Sequence, residues 1–221
     1  MKIFSLPVYY LPYLSFPDWT VKRRSGFLTP VYGYSKQNRF HIKIPYYFAP
    51  ENDPSWDMTF TSHQNGKTGH ADQLNIRKEY ETTSLETNIY KGNLDTNKSN
   101  GDNVFGVNLK ASSYLKNNWI MNLGAKYADQ ETFMRRYGFD GDTRYKSYIE
   151  LEKNSENSIS FIEVYNIQNL DEKSSNNEPV LAPSISHHIF NSNEKYNYDI
   201  KFNAHSIYND EGYDIKRWSG L

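Results

Sequence analysis

The sequence contains no cysteine among its 221 residues. This absence excludes a disulfide framework, a thiolate zinc site and a cysteine nucleophile within the chain. Apolar content is also low: 37% of residues are hydrophobic even when tyrosine is counted, whereas globular domains have about 45–50% apolar residues. No uninterrupted apolar run approaches the roughly 18 residues that a transmembrane helix needs.

An excess of charge of either sign is missing as well. The net charge is −1 and the isoelectric point is about 6.6, so electrostatics give no reason to expect a nucleic-acid partner. Disorder is a poor explanation for the low apolar content, because 16% of residues are aromatic, including 19 tyrosines. A membrane β-barrel accounts for all of these facts, since each strand is apolar only on its lipid-facing side and aromatic residues gather at the two interfaces.

Alternation of apolar and polar residues predicts many strands. In 103–113, Val107 and Leu109 fall on one face, and Asn108 and Lys110 fall on the other. Clear alternation also marks 119–127 and 198–205, and weaker alternation marks 39–48, 56–63, 70–80, 82–91, 143–153 and 180–190. In 158–168 the phase slips, which predicts a β-bulge or a partly covered face. No segment has a sustained helical period with caps, so we expect little helix.

The connections between these segments alternate in length. Short connections occur near Glu81 and at 114–117, 154–157 and 191–194, and long ones at 92–102, 129–142 and 169–179. In an antiparallel meander every second loop lies on the same side, so the long loops are expected on one rim and tight turns on the other, as in outer-membrane barrels. A soluble antiparallel sandwich also alternates, and the pattern alone leaves both architectures open.

Two long motifs are distinctive: PVYYLPYLSFPDWTVKRRSGFLTP at 7–30 and ETFMRRYGFDGDT at 131–143. Both resemble segments of the LptD family, also called OstA or the LPS-assembly proteins. The first resembles the junction where the periplasmic β-jellyroll of that family meets the first barrel strand, and the second resembles a later segment, particularly of alphaproteobacterial members. The resemblance implies an all-β antiparallel meander that forms part of a large outer-membrane β-barrel. It places the end of the jellyroll and a linker in 1–24, and about the first dozen barrel strands in 25–221.

The resemblance also implies a function without enzymatic chemistry and without cofactors. Family members take lipopolysaccharide from a periplasmic bridge, are plugged by an LptE-type lipoprotein, and release the lipid sideways into the outer leaflet of the outer membrane. By motif position, Pro30 and Pro45 correspond to the prolines that weaken the lateral gate of the family, because proline cannot donate a ladder hydrogen bond.

The basic stretch at the start of the barrel carries a second implied role. Arg23, Arg24, Ser25 and Gly26 would form the hinge between jellyroll and barrel. For the basic residues themselves, a solvated turn at the membrane surface and the steering of phosphorylated lipid both remain open.

The two ends of the sequence predict a partial barrel. The opening residues, MKIFSLPV, lack the sustained apolar stretch of a signal peptide, and 217–221 reads as the beginning of another strand. We therefore expect a fragment that does not form a working translocon alone, because an open sheet leaves unpaired edges in lipid.

Few residues suggest a chemical site. His187 and His188 point to opposite faces of a strand, so they cannot share a metal, and no metal is expected. The DGD sequence at 140–142 is explained by turn chemistry. Arg135 and Arg136 are candidate ligand contacts in an outer loop, or they tie loop carboxylates. Hydrolase, phosphate-loop and zinc-protease motifs are absent from the sequence, and the alternatives to the family function are a general porin or receptor barrel and a secreted glycan-binding sandwich.

Overall fold

A computed structural model describes residues 2–3, 6–7, 23–36, 39–66, 69–94, 102–170, 180–192, 196–208 and 215–220. Nearly all of them are strand, as the alternation predicts. The strands are β1 (Lys2–Ile3), β2 (Leu6–Pro7), β3 (Gly26–Phe27), β4 (Val31–Ser35), β5 (Arg39–Phe48), β6 (Trp56–Asn65), β7 (Gly69–Glu79), β8 (Thr83–Leu94), β9 (Asp102–Tyr114), β10 (Trp119–Ala128), β11 (Arg144–Ser155), β12 (Ser158–Asn169), β13 (Val180–Ser192), β14 (Asn197–Tyr208) and β15 (Ile215–Gly220).

The strands from β3 onward form one 13-stranded antiparallel sheet. From β5 to β15, consecutive strands pair with each other, and β3 and β4 both pair with β5 at one edge. This consecutive order confirms the predicted all-β antiparallel meander. Of the predicted jellyroll end, β1 and β2 pair with each other, and residues 8–22 lie outside the described residues.

The register sorts side chains into an apolar face and a polar face. One row across seven adjacent strands is entirely apolar or aromatic: Phe27, Tyr46, Phe60, Leu74, Ile89, Val107 and Tyr127. A row on the opposite face is polar: Tyr47, Thr59, Asn75, Asn88, Asn108 and Lys126. Because strand side chains alternate with period 2, a single register gives the whole sheet these two faces.

The predicted irregularity in 158–168 is present. The pairing of β12 with β13 shifts register between Glu163 and Tyr165. The extra residue lies in β13, where Ala182 and Pro183 stand opposite Val164 alone, while the pairing of β12 with β11 stays regular over Ser158–Asn169. The apolar phase slips at Phe161 and Ile162, before this shift, so apolar residues of β12 lie on both faces of the sheet.

The strand ends confirm the alternation of loop lengths. Residues 80–82, 115–118 and 156–157 make short turns on one side, which we call the short-turn rim. The connections 95–101, 129–143 and 170–179 fall on the opposite side, the long-loop rim. The connections 36–38 and 66–68 are short exceptions between strand ends on the long-loop rim, and 49–55 is a longer connection on the short-turn rim.

Helical structure is small in amount, as expected, but the connection 129–143 contains a helix that the sequence patterns did not predict. This helix, α1 (Glu131–Tyr137), is the one α-helix among the described residues, and Lys116–Asn118 forms a single 3₁₀ turn. In the described part of the chain, no helix is long and apolar enough to cross a membrane.

The buried core lies where α1 packs on the polar face at the long-loop rim. Phe133, Met134 and Tyr137 are the buried residues of the helix. They pack with sheet residues in one cluster, whose other buried members are Ala71, Tyr90, Val104, Ala128 and Tyr145. The core is therefore local, which agrees with the low apolar content of the chain.

Candidate functional site: an interrupted edge strand

The edge of the sheet is interrupted where the two gate prolines were predicted. β3 pairs Phe27 with Tyr46, and β4 resumes by pairing Val31 with Lys43. Three residues of the edge, 28–30, therefore lie opposite two residues of β5. Pro30 is the last residue of this interruption, and Pro45 is one of the two β5 residues opposite the interruption.

Few hydrogen bonds hold the interrupted segment. The backbone N–H of Leu28 donates to the carbonyl of Pro45 at 2.9 Å. Neither Pro30 nor Pro45 has an N–H of its own, so each removes one donor from the ladder. Since a net hydrogen bond contributes about 0.5–1.5 kcal/mol, the two prolines weaken this edge by an amount on that scale.

Exposed aromatic side chains surround the interruption on the apolar face. We call Phe27, Tyr32, Tyr34 and Phe40 the seam patch; their exposed fractions are 76%, 75%, 77% and 56%. The ring of Phe27 packs edge-to-face on that of Tyr46, with 5.0 Å between centroids. An exposed patch of this kind marks a surface that meets lipid or a partner.

The predicted hinge residues differ sharply in their contacts. The Ser25 hydroxyl donates to the Ala49 carbonyl at 3.1 Å and accepts from the Ala49 N–H at 2.9 Å, which extends the β3–β5 ladder by one side chain. Arg23 hydrogen-bonds to β5, to β6 and to the loop between them. Arg24 is exposed and makes no hydrogen bond or ion pair with the described part of the chain. Gly26 has open space where a Cβ would stand.

The loop that faces this basic segment holds an ionised carboxylate. Asp53 accepts hydrogen bonds from the Ser55 hydroxyl and backbone N–H, and it pairs with Lys78 at 2.9 Å. The Ser55 hydroxyl, followed by Lys78, lowers the pKa of Asp53 to about 2. Asp53 is therefore ionised at neutral pH.

The polar face next to the seam alternates in charge from strand to strand. Asp57, Arg77, Glu86 and Lys110 follow one another across β6 to β9. Arg77 holds Asp57 through two hydrogen bonds of 2.8 and 3.0 Å. A groove of about 360 Å³ includes three of these residues, Arg77, Glu86 and Lys110, and its lining also contains Leu85, Ala111 and Leu123. The alternating charges of the row balance one another, which suits the wall of an aqueous lumen.

The two arginines predicted as loop ligand contacts lie on α1. Arg135 forms an ion pair with Glu131, one turn earlier in the helix. Lys126 on β10 binds Asp140 and Asp142, at 2.6 and 3.0 Å, so the loop carboxylate that Arg135 ties is Glu131. Contact of Arg135 and Arg136 with a ligand stays a prediction.

The docking of α1 depends on two glycines of the sheet. A Cβ on Gly92 would stand 2.9 Å from the Phe133 ring, and one on Gly106 would stand 2.8 Å from the Met134 sulfur. Gly138, at φ 70°, ends the helix, and the N–H of Phe139 then donates to the Met134 carbonyl at 2.9 Å. The spacing of Phe133, Met134 and Tyr137 before a glycine was the sequence signal for this helix.

The remaining candidates have structural partners. His187 hydrogen-bonds to Ser160 and His188 to Asp199, on opposite faces of β13. The N–H of Asp142 donates to the Asp140 carboxylate at 2.9 Å, which confirms the turn. Among the described residues, no group of three or more His, Asp or Glu side chains is arranged to hold a metal.

The meander, its two faces and its alternating loops define the described strands as part of the wall of an outer-membrane-type β-barrel. No protein-family model matches the chain. Individual proteins do match it. The LPS-assembly protein LptD of Legionella pneumophila strain Paris is 40% identical over 93 residues, which is 42% of this chain and 10% of the relative.

Two further LptD proteins match longer stretches. That of Shewanella sp. strain MR-4 is 32% identical over 123 residues (54% of this chain, 15% of the relative), and that of Idiomarina loihiensis is 26% identical over 161 residues (71% and 21%). The family resemblance indicated by the motifs is therefore confirmed: the chain is related to the LptD family. The matches span between 10% and 21% of these relatives, and the narrower affinity to alphaproteobacterial members stays a prediction.

Proposed function

We propose that this chain supplies the first strands of an outer-membrane barrel that assembles lipopolysaccharide into the outer leaflet. The matched relatives are named as LPS-assembly proteins. One observation carries the proposal for this chain: the donor-poor interruption at Pro30 and Pro45 lies at the sheet edge, beside the exposed aromatic seam patch.

In this mechanism each face of the sheet contacts one part of an amphiphile. The charge-balanced polar face lets the sugar part pass through water, and the apolar face borders the hydrocarbon that receives the acyl chains. The seam next to β3 and β4 is the exit, because its ladder lacks the donors of Pro30 and Pro45. No covalent bond changes, so the barrel acts as a conduit without enzymatic activity.

The partners follow from the same proposal. Residues 1–24 lead from a periplasmic jellyroll that accepts lipopolysaccharide from the Lpt bridge, and residues 25–221 belong to the barrel, which encloses an LptE-type plug. Pro30 and Pro45 act as the gate, and the protein resides in the outer membrane.

Photo-crosslinking in the full-length protein tests this function. With a light-activated amino acid at Phe27 or Tyr32, we expect lipopolysaccharide adducts that disappear when the periplasmic bridge is inactivated. Ile149, which is also on the apolar face and 49% exposed, is the control. It should show only a background that is independent of the bridge.

Two results would argue against the proposal. Adducts at Phe27 and Tyr32 that persist without a working bridge would indicate only that the seam borders the outer leaflet. Complete absence of adducts, together with ion conductance through the purified barrel, would favour a general porin.

A further inference from the structure

Arg23 connects the chain that precedes the edge strand to three separate segments. Its guanidinium donates to the Tyr47 hydroxyl on β5 at 3.2 Å, to the Pro54 carbonyl in the following loop, and to the Trp56 carbonyl on β6 at 2.7 Å. It also pairs with the Asp57 carboxylate at 3.0 Å. One side chain therefore serves four acceptors, which the planar fork of arginine allows and the single ammonium of lysine does not.

Asp57 is the centre of this group. Its side chain is only 13% exposed, and it accepts hydrogen bonds from Arg23, from Tyr47 and twice from Arg77. Removing one of two guanidinium groups that share a nearly buried carboxylate is destabilising, because the remaining charges are then imperfectly paired. We call Arg23, Tyr47, Asp57 and Arg77 the basal clamp.

The basal clamp does not depend on the ladder between the edge strand and β5. Three of the four bonds of Arg23 go past β5, to the loop and to β6, and Asp57 continues the connection to Arg77 on β7. By contrast, within the described sheet β4 pairs only with β5, through Val31–Ser35. Between these two parts lies the donor-poor segment 28–30.

We propose that Arg23 is a positioning residue that fixes the base of the edge strand, so that opening of the seam is confined to β4 and bends at 28–30. Residues 23–27 then act as a fixed base. This differs from a hinge at Arg23–Gly26, which would move the whole edge strand together. The inference rests on the proposed lateral exit, because it states which part of the edge moves when that exit opens.

Hydrogen exchange in the full-length protein, reconstituted with its periplasmic bridge, tests the inference. In the unmodified protein we expect the backbone of 25–28 to exchange slowly whether or not the bridge is working, and that of 31–35 to exchange faster when it works. Arg23→Gln should raise exchange in 25–28 by about tenfold or more and make it respond to the bridge. Exchange in β9 and β10 should not change.

Arg24→Gln is the matched control, since it removes the same charge one residue away from a side chain without described contacts. Arg23→Lys should give an intermediate rate, because it keeps the charge and loses most of the acceptors. If Arg23→Gln prevents assembly, Ser25→Ala tests the same base through the Ser25–Ala49 pair and leaves the clamp intact.

The inference is overturned if Arg23→Gln and Arg24→Gln give the same exchange in 25–28, or if 25–28 and 31–35 respond to the bridge together in the unmodified protein. Failure of the proposed function gives a different pattern. In that case the clamp still protects 25–28, while 31–35 never responds to the bridge and the bridge-dependent adducts at Phe27 are missing.

Discussion

Leu123→Arg is expected to destabilise the barrel in a bilayer by about 2–4 kcal/mol, the cost of a cation on the lipid face near the membrane midplane. Leu123 lies in the middle of β10, and its cross-strand neighbours are Ala111 and Ile149. An arginine there would have no carboxylate beside it in the register. The expected result is a lower midpoint when urea unfolds the protein from phospholipid vesicles.

Asn122→Arg is the matched control for this prediction. Asn122 is the preceding residue in the same strand, and it lies on the polar face between Ser112 and Glu150. A cation there remains in water beside a carboxylate. It loses the hydrogen bond from Ser112 to Asn122, so the cost should be at most about 1 kcal/mol. Equal destabilisation by the two substitutions would contradict the assignment of the faces.

Phe133→Ala is expected to release α1 from the sheet. Phe133 is fully buried and packs over Gly92. A side chain at position 92 would meet the backbone oxygen of His70, so the glycine is needed for this packing. Removal of a buried phenylalanine costs about 3–5 kcal/mol. Because every 1.4 kcal/mol is about a tenfold change in an equilibrium, the undocked state should become at least a hundredfold more populated.

Limited proteolysis measures this release. Trypsin cleaves after Arg135 and Arg136, which lie on α1, and cleavage should become faster in Phe133→Ala by about the same factor. Thr132→Ala is the control, since Thr132 is the exposed neighbour in the same helix. If both variants are cleaved at the rate of the unmodified protein, α1 is not held by its apolar side chains. If the barrel as a whole unfolds in Phe133→Ala, cleavage will spread to the strands and not stay in the helix.

The strands could be predicted because polar and apolar residues alternate along the sequence, and this alternation matches a sheet with one face in hydrocarbon and the other in water. In 105–111 of β9 and 119–127 of β10 every second residue is apolar or aromatic, and the register pairs most of them with one another, as Leu123 with Ala111 and Ala125 with Leu109. The slip in 158–168 indicated an irregularity, and a register shift is present beside it, but its extra residue lies in β13.

The helix α1 was missed because it is short. It has seven residues, less than two helical turns, so a sustained periodic stripe cannot develop. Its stability comes from packing on Gly92 and Gly106, residues that precede it by many positions in the chain. Such contacts belong to the tertiary structure, and the local trace of the helix is limited to the spacing of Phe133, Met134 and Tyr137 before Gly138.

The partners of Arg23 were hidden for a related reason. The motif at 7–30 indicated a basic junction, but it gave Arg23 and Arg24 the same role. Their difference depends on Asp57, which is 34 residues away from Arg23. Only the antiparallel return of β5 and β6 brings that carboxylate beside one arginine and not the other.

The low apolar content of the sequence has a direct structural meaning. Each strand from β5 to β10 contributes apolar side chains to one face, and the opposite face carries the asparagines, charges and small residues. A chain of this kind needs hydrocarbon on its apolar face to cover what would otherwise be a large exposed patch.

Single-cysteine scanning along β10 tests the central claim most directly, because the chain contributes no cysteine of its own. Cysteines at Met121, Leu123 and Ala125 should be quenched by lipid-borne quenchers once labelled and should resist a water-soluble thiol reagent. Cysteines at Asn122 and Lys126 should show the opposite behaviour. If the sheet spans the outer membrane, access alternates in this way along β10; equal access of the water-soluble reagent to all five positions would contradict a membrane-spanning sheet.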